Sequence, residues 1–127
     1  MDKAMYDKGL AVRRKVLGDE YVDAALKNVD DFNAPLQDIL NENCWGAIWG
    51  REGLPLKTRS MLNLAMLAAL NREHEFKLHV GGALRNGVTK EEIREVLIQV
   101  AVYAGVPAAV AAFRHARDVF AEHEQKA

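Results

Sequence analysis

The amino-acid sequence predicts an all-α fold. Apolar residues recur at three- and four-residue spacing along most of the 127 residues, and no run shows sustained period-two alternation. Half of the residues are apolar, which is enough to form a core. No linker is long enough to divide the chain, so we expect residues 1–127 to form a single domain.

The N-terminal third predicts three helices. Asp2–Leu17 has helical rhythm and is stopped by Gly18. A second helix is expected over Asp19–Val29, with Asp19 as its cap, and a third begins at Asp30 or Asp31. The first helix ends on three cations that either complement its dipole or bind an anion: Arg13, Arg14 and Lys15.

Both tryptophans lie in a glycine-rich segment, residues 44–53. Gly46, Gly50 and Gly53 predict a loop or a broken helix there. Trp45 and Trp49 can be core residues, pocket walls or subunit contacts, and of these we favour a position in the core or at an interface.

The next helix opens at Leu54, with Pro55 in its first turn. Met61–Leu70 is almost continuously apolar and is broken only by Asn63. A helix that is apolar around most of its circumference must be buried on most sides. In so short a chain, this pattern predicts burial by partner subunits as well as by the chain's own core.

The segment Asn71–Gly87 concentrates the candidate chemistry. If it is helical, Glu75 and His79 lie on one face, because residues four apart share a face. Such a pair can handle protons near neutral pH, although most pairs at this spacing are solvated surface groups. The Gly81-Gly82 pair indicates a packing contact or, less often, the close approach of a ligand.

Two more helices complete the chain. Thr89 and Glu92 form a capping box ahead of a helix with apolar residues on both faces. One face carries Ile93, Leu97, Val100, Ala101 and Ala104, and the other carries Ile98 and Val102. This is more apolar surface than one core requires. Gly105-Val106-Pro107 ends that helix and starts the last one.

Composition excludes several classes of function. The formal net charge is −1, with basic and acidic residues interleaved, so neither a nucleic acid nor a membrane is an expected partner. The single cysteine, Cys44, permits no intramolecular disulfide and no cysteine-based zinc site, and we expect no metal. The N-terminus lacks signal-peptide features and no run is long enough to span a membrane, so we expect a cytoplasmic protein.

An ordered set of short motifs runs from Trp49 to Ala108. In order, they are Trp49-Gly50-Arg51, Arg59-Ser60, Glu75-Phe76-Lys77-Leu78-His79-Val80, Asn86-Gly87-Val88-Thr89, Glu91-Glu92-Ile93, Gln99-Val100-Ala101 and Gly105-Val106-Pro107-Ala108. Together they resemble the carboxymuconolactone decarboxylase family, most strongly from about Trp45 to Arg117. The resemblance implies an oligomeric, alkylhydroperoxidase D-like helical bundle of about six helices, with a homo-hexamer as the expected assembly.

Thiol enzymes of the wider alkylhydroperoxidase D-like superfamily carry a C-x-x-C-x-x-x-H site, with a Glu twelve residues before the first Cys. When this pattern is aligned on His79, the cysteine positions fall on Arg72 and Glu75, and the Glu position falls on Ser60. Peroxide reduction through a disulfide needs two thiols. The sequence therefore favours the decarboxylase branch.

The family's reaction removes CO2 from 4-carboxymuconolactone to give 3-oxoadipate enol-lactone in protocatechuate (beta-ketoadipate) catabolism, and it needs no cofactor. One alternative is a related decarboxylase, isomerase or hydrolase that acts on another small carboxylated lactone. A non-catalytic helical oligomeric binding module is the other.

The resemblance also implies roles for particular residues. His79 is expected to donate a proton or stabilise the oxyanion, and Glu75 to orient His79. Arg59, together with Arg51, is expected to bind substrate carboxylates, although Arg59 is equally well interpreted as a cation on the helix surface. Trp45 or Trp49 is expected to form a dry wall of the site. The family pattern places a basic residue after the His-Val pair, where this chain has Gly81.

Overall fold

The computed structural model describes residues 1–126, whose regular secondary structure is entirely helical, without a β-strand. Residues 1–126 contain seven α-helices and one π-helix: α1 Lys3–Leu17, α2 Asp19–Lys27, α3 Ala34–Ile39, the π-helix Leu40–Trp49, α4 Leu56–Ala69, α5 Glu73–Arg85, α6 Lys90–Tyr103 and α7 Val106–Lys126. The all-α prediction is confirmed, with more helices than the six expected. Within residues 1–126, no helix combines the length and the apolar character that a membrane span requires.

The chain divides into two compact units. The N-terminal unit is Met1–Leu56, and the C-terminal unit begins at Lys57. The assignment of residues 1–127 to a single domain stays a prediction.

The prediction of a loop or broken helix over residues 44–53 is wrong for most of that segment. The π-helix continues from α3 to Trp49, and only residues 50–53 form a turn. The glycines there allow helices to approach closely. A Cβ on Gly46 would lie 2.5 Å from the carbonyl oxygen of Met5, and one on Gly9 would lie 1.7 Å from that of Asn41. Only glycine permits such an approach between α1 and the π-helix.

The cations at the end of α1 differ in their surroundings. Arg13 is buried, and its Nη1 donates hydrogen bonds to Gln37 Oε1 at 2.9 Å and Asn41 Oδ1 at 3.0 Å. Burial lowers the pKa of this guanidinium. Arg14 instead forms ion pairs with Asp19 and Asp23 at 3.2 and 2.8 Å. Arg13 is therefore part of the interior of the N-terminal unit, where neutral amides accept from its Nη1 and its buried Nε has no hydrogen-bond partner among the described residues.

Four helices, α4 to α7, build the core of the C-terminal unit. The largest buried side chains come from three of them: Leu64 of α4, Phe76 and Val80 of α5, and Ile93 and Leu97 of α6. Helix α7 supplies mainly small residues to the same cluster: Ala108, Ala109, Ala112, Ala116 and Val119. The predicted capping box starts α6, with Thr89 Oγ1 accepting from the Glu92 backbone and Glu92 Oε1 accepting from the Thr89 backbone. This core holds α5, which carries the candidate histidine, against α6 and α7.

Helices α4 and α6 leave an apolar face exposed in the single chain. A groove of about 570 Å³ runs between them and is lined mainly by apolar side chains, among them Met61, Leu62, Ala65, Met66, Val96, Val100 and Tyr103. The outward side chains are substantially accessible, with Leu62 47% exposed, Met66 53% and Val102 77%. The apolar circumference of Met61–Leu70 is therefore only partly covered by the core of its own unit.

Candidate active site

His79 lies at the middle of α5, where it is only 8% exposed. Its neighbours along the helix are core residues, since Phe76, Val80 and Ala83 are all buried. The imidazole is thus held in an apolar setting. The segment Asn71–Gly87 is helical over Glu73–Arg85, which meets the condition under which Glu75 and His79 share a face, and α5 ends before the Asn86-Gly87 pair.

An amide side chain from α4 reaches the imidazole. Asn63 Nδ2 lies 3.5 Å from His79 Nδ1, at the long limit of a hydrogen bond. Asn63 is the polar residue that interrupts the apolar run of α4. Its side chain therefore marks the side of α4 that faces His79.

Burial has a large effect on the protonation of His79. Removal of the ring from water lowers its pKa from 6.5 to about 4, against the opposing effect of the negative charge on Glu75. Glu75 itself is exposed on the preceding turn. The imidazole of the free protein is therefore neutral at pH 7, and Glu75 acts on it through charge.

A second polar bridge joins α4 to the end of α5. Asn86 Nδ2 donates a hydrogen bond to Ser60 Oγ at 2.9 Å, and Ser60 is fully buried. Ser60 and Asn63 lie three residues apart on α4, so the two bridges occupy neighbouring positions on one face. Together they hold the register between α4 and the segment that carries His79.

Arg59 lies one helical turn before Asn63 and is half-buried. Its Nε is buried and has no hydrogen-bond partner among the described residues. A buried donor without an acceptor is costly. The Arg59 guanidinium therefore has capacity to bind an acceptor such as a carboxylate.

A cation also lies beside the glycine that replaces the family's expected basic residue. A Cβ built on Gly81 would lie 3.4 Å from Nη1 of Arg85, one turn later on α5. The Arg85 guanidinium thus folds back over the surface that Gly81 leaves uncovered.

Arg51, Trp45 and Trp49 belong to the N-terminal unit. The two indoles are buried and stacked, with ring centroids 4.8 Å apart, which confirms the core interpretation for both. Arg51 is exposed in the turn after the π-helix. Their roles in substrate binding stay predictions, as do those of His79, Glu75 and Arg59.

Cys44 is half-buried in the π-helix, and burial raises the pKa of its thiol. Across residues 1–126, no three His, Cys, Asp or Glu side chains converge in the way a metal site would require.

The fold and site define an all-helical protein with a buried, neutral histidine and without the paired cysteines of a thiol peroxidase. The chain belongs to the carboxymuconolactone decarboxylase family, whose model matches residues 34–118. It is 43% identical over 119 residues to 4-carboxymuconolactone decarboxylase of Acinetobacter baylyi, across 94% of this chain and 89% of that one. It is also 42% identical over 112 residues to nitrosuccinic acid decarboxylase of Metarhizium robertsii, across 88% of this chain and 78% of that one.

Sequence reasoning did not identify the polar partners of the site. Asn63 and Ser60 lie on α4, and Asn86 is the C-cap residue that follows α5, so the i, i+4 spacing that pairs Glu75 with His79 does not reveal them. One signal was present for Asn63, because an amide inside an otherwise apolar run needs a partner when it is buried.

Proposed function

We propose that this chain is a cytoplasmic, cofactor-independent decarboxylase that converts 4-carboxymuconolactone to 3-oxoadipate enol-lactone in protocatechuate catabolism. The observation that carries the proposal is the 43% identity to the Acinetobacter baylyi enzyme over 94% of this chain. A buried imidazole supports it, because such a group provides a polar contact in a site that excludes water.

The substrate supplies its own electron sink. As the bond to the departing carboxylate breaks, its electron pair moves through the ring double bond to the lactone carbonyl oxygen and gives a dienolate. CO2 leaves, and protonation of the carbon alpha to the carbonyl gives the product. The proton added to carbon derives from water, so the reaction balances without an oxidant or reductant.

His79 is assigned the stabilisation of the dienolate oxygen. A ring with a pKa of about 4 is neutral at pH 7, so it carries one N–H and no charge. A neutral imidazole donates a hydrogen bond to a developing oxyanion, whereas direct proton transfer requires the imidazolium form. Of the two roles expected for His79, oxyanion stabilisation therefore fits the burial of the ring better.

Arg59 is assigned the binding of a substrate carboxylate, which its unpartnered Nε supports. Arg51 and the Trp45–Trp49 stack remain candidates for a second carboxylate contact and a dry wall. Glu75 is assigned electrostatic tuning of His79, since its charge raises the pKa of the ring.

The test is steady-state decarboxylation of the lactone, measured as CO2 release. His79→Ala is expected to lower kcat by about 100- to 1000-fold, the usual effect of losing an oxyanion donor. His74→Ala, at an exposed position on the same helix, is the matched control and should retain wild-type activity. Wild-type activity in His79→Ala would remove His79 from the mechanism. Failure of the folded wild-type protein to release CO2 would favour a binding module.

Arg59 is tested separately. Arg59→Met is expected to lower kcat/KM by tenfold or more, because a carboxylate in a dry site depends on a charged, bidentate donor. Arg59→Lys should recover only part of the loss. Arg114→Met, at an exposed position on α7, is the control for loss of one positive charge. Equal kinetics for the Arg59 and Arg114 variants would make Arg59 a surface cation.

A second candidate substrate follows from the relative in Metarhizium robertsii, which is named for nitrosuccinic acid. Nitrosuccinic acid, like the lactone, carries two carboxylates and a group that accepts the electrons left by CO2. The two substrates are therefore compared at equal concentration with the same enzyme. A higher kcat/KM for nitrosuccinic acid would assign the chain to that reaction.

The same proposal includes a homo-oligomer, a hexamer by resemblance to the family, with the α4–α6 groove as one contact. The face is apolar and carries Leu62 and Met66 in outward positions. Light scattering with size-exclusion chromatography should give a multiple of the 14.1 kDa chain. Leu62→Glu should dissociate the assembly, whereas Glu95→Gln, at an exposed position of α6, should leave it intact. A monomeric wild-type protein would refute the oligomer.

A further inference from the structure

Asn63 is a half-buried amide within the apolar run of α4. Its Nδ2 lies 3.5 Å from Nδ1 of His79, and the residues on either side of it in the chain, Leu62 and Leu64, are apolar. An amide placed there loses part of its hydration, so it is retained more readily where it makes a specific contact.

We propose that Asn63 is a positioning residue that fixes the tautomer of His79, with the ring proton on Nε2. A neutral imidazole has one N–H and one lone pair. When Nδ1 accepts a hydrogen bond from the Asn63 amide, the proton must reside on Nε2. The 3.5 Å separation between the two nitrogens describes this contact in the free protein.

The helix register supports this assignment. Ser60 lies three residues before Asn63 and accepts a hydrogen bond from Asn86 at 2.9 Å. Because Ser60 is fully buried, this bridge is sheltered from water and limits sliding of α4 along α5. The Asn63 amide is thereby kept opposite the His79 ring, and contraction of the contact by a few tenths of an ångström gives an ordinary hydrogen bond.

The catalytic consequence rests on the proposed function. The Nε2–H tautomer offers a donor to the dienolate oxygen, whereas the Nδ1–H tautomer offers a lone pair from Nε2, which repels an oxyanion. Asn63 therefore acts on the reaction through His79, without touching the substrate. Its substitution should lower kcat and leave KM within about threefold, because the contact matters most in the transition state.

Asn63→Asp gives the clearest test, because its carboxylate is nearly isosteric with the Asn63 amide and only accepts hydrogen bonds. It should draw the ring proton to Nδ1, or bind the imidazolium. The first measurement is the ¹⁵N spectrum of the His79 ring in the full-length protein at pH 7.5, without ligand. The wild-type spectrum should show protonated Nε2 and unprotonated Nδ1, and Asn63→Asp should show a protonated Nδ1. Asn43→Asp, at an exposed position, adds the same charge and should retain the wild-type pattern.

A protonated Nδ1 in the neutral wild-type ring, or identical ring spectra for wild type and Asn63→Asp, would overturn the inference. If Asn63→Asp does not fold, Asn63→Leu serves instead, because leucine suits the apolar run. This variant removes the donor and should give a mixture of tautomers. An unchanged wild-type pattern in Asn63→Leu would overturn the inference equally.

The kinetic measurement separates this inference from the proposed function. With the lactone, Asn63→Asp should lower kcat by about 100-fold or more, and Asn63→Leu by about 3- to 10-fold. If wild type turns over neither proposed substrate, the proposed function fails, while the ring spectra still decide the role of Asn63. If the tautomer changes and kcat does not, the catalytic half of the inference is wrong.

Discussion

The burial of His79 predicts a specific dependence of stability on pH, and His79→Gln isolates it. In the folded protein the pKa of the ring is lowered from 6.5 to about 4, because burial disfavours the charged form. In the unfolded chain the ring binds a proton near its ordinary pKa. Between these two values the unfolded chain takes up a proton that the folded protein does not. Protonation of His79 therefore has little effect on stability above about pH 6.5, and it destabilises the folded state progressively as the pH falls towards 4.

The magnitude follows from the same values. The interval from 6.5 to about 4, at 1.36 kcal/mol for each pH unit, corresponds to about 3 kcal/mol of unfolding free energy. The ring is only 8% exposed, so screening by solvent reduces this value little. A loss of this size is a large fraction of the stability of an ordinary domain.

The assay is urea unfolding at fixed protein concentration, repeated at half-unit intervals from pH 7 to pH 4. Carboxylates also titrate in this range. The informative quantity is therefore the free energy of unfolding of wild type minus that of His79→Gln at each pH. That difference should become about 3 kcal/mol less favourable to wild type over the range. His74→Gln, exposed on the same helix, should follow wild type. A difference that stays constant with pH would refute the burial of a neutral imidazole at this position.

Two further predictions concern backbone packing and capping. Gly9→Ala should lower the free energy of unfolding by about 2 kcal/mol or more, because its Cβ would overlap the carbonyl oxygen of Asn41 at 1.7 Å. Gly81→Ala should instead raise it by about 0.5–1 kcal/mol, because its Cβ meets only Arg85 Nη1 at 3.4 Å and alanine favours the helix. Urea unfolding of both variants checks the pair, and equal effects would contradict it. Thr89→Ala should cost about 1 kcal/mol through loss of the N-cap of α6, and an unchanged midpoint of thermal unfolding would contradict this.

The helices were predictable because their signals are local. The capping box at Thr89 and the stop at Gly18 depend on residues a few positions apart, and the structure contains both. The π-helix was missed for the opposite reason. The sequence suggests that Gly46 breaks a helix, whereas the contact that requires glycine there is the backbone of Met5, about forty positions away. Whether a glycine breaks a helix or permits a close contact depends on which distant residue packs against it, and the local sequence pattern does not identify that residue.

The same distinction applies to the candidate site. His79 was identified through its motif, but its burial and its contact with Asn63 depend on how α4 and α5 pack. The four-residue spacing within α5 predicts that Glu75 contacts the His79 ring. The structure gives Glu75 an electrostatic influence and places the amide of another helix at Nδ1.

A neutral histidine shifts the task of charge neutralisation to other residues. Both substrates proposed above are dianions, and their carboxylates cannot enter a dry site without cations. His79 does not provide positive charge at pH 7, since its pKa is about 4 in the free protein. Arginine keeps its charge on burial more readily than any other side chain, and the unpartnered Nε of Arg59 is suited to this role. In the proposed mechanism two tasks are separate: Arg59 binds the substrate's fixed charge, and the neutral imidazole of His79 contacts the oxygen on which charge develops. Because this imidazole has no charge, we expect it to add little affinity for the ground state and to act mainly on the transition state, which raises kcat.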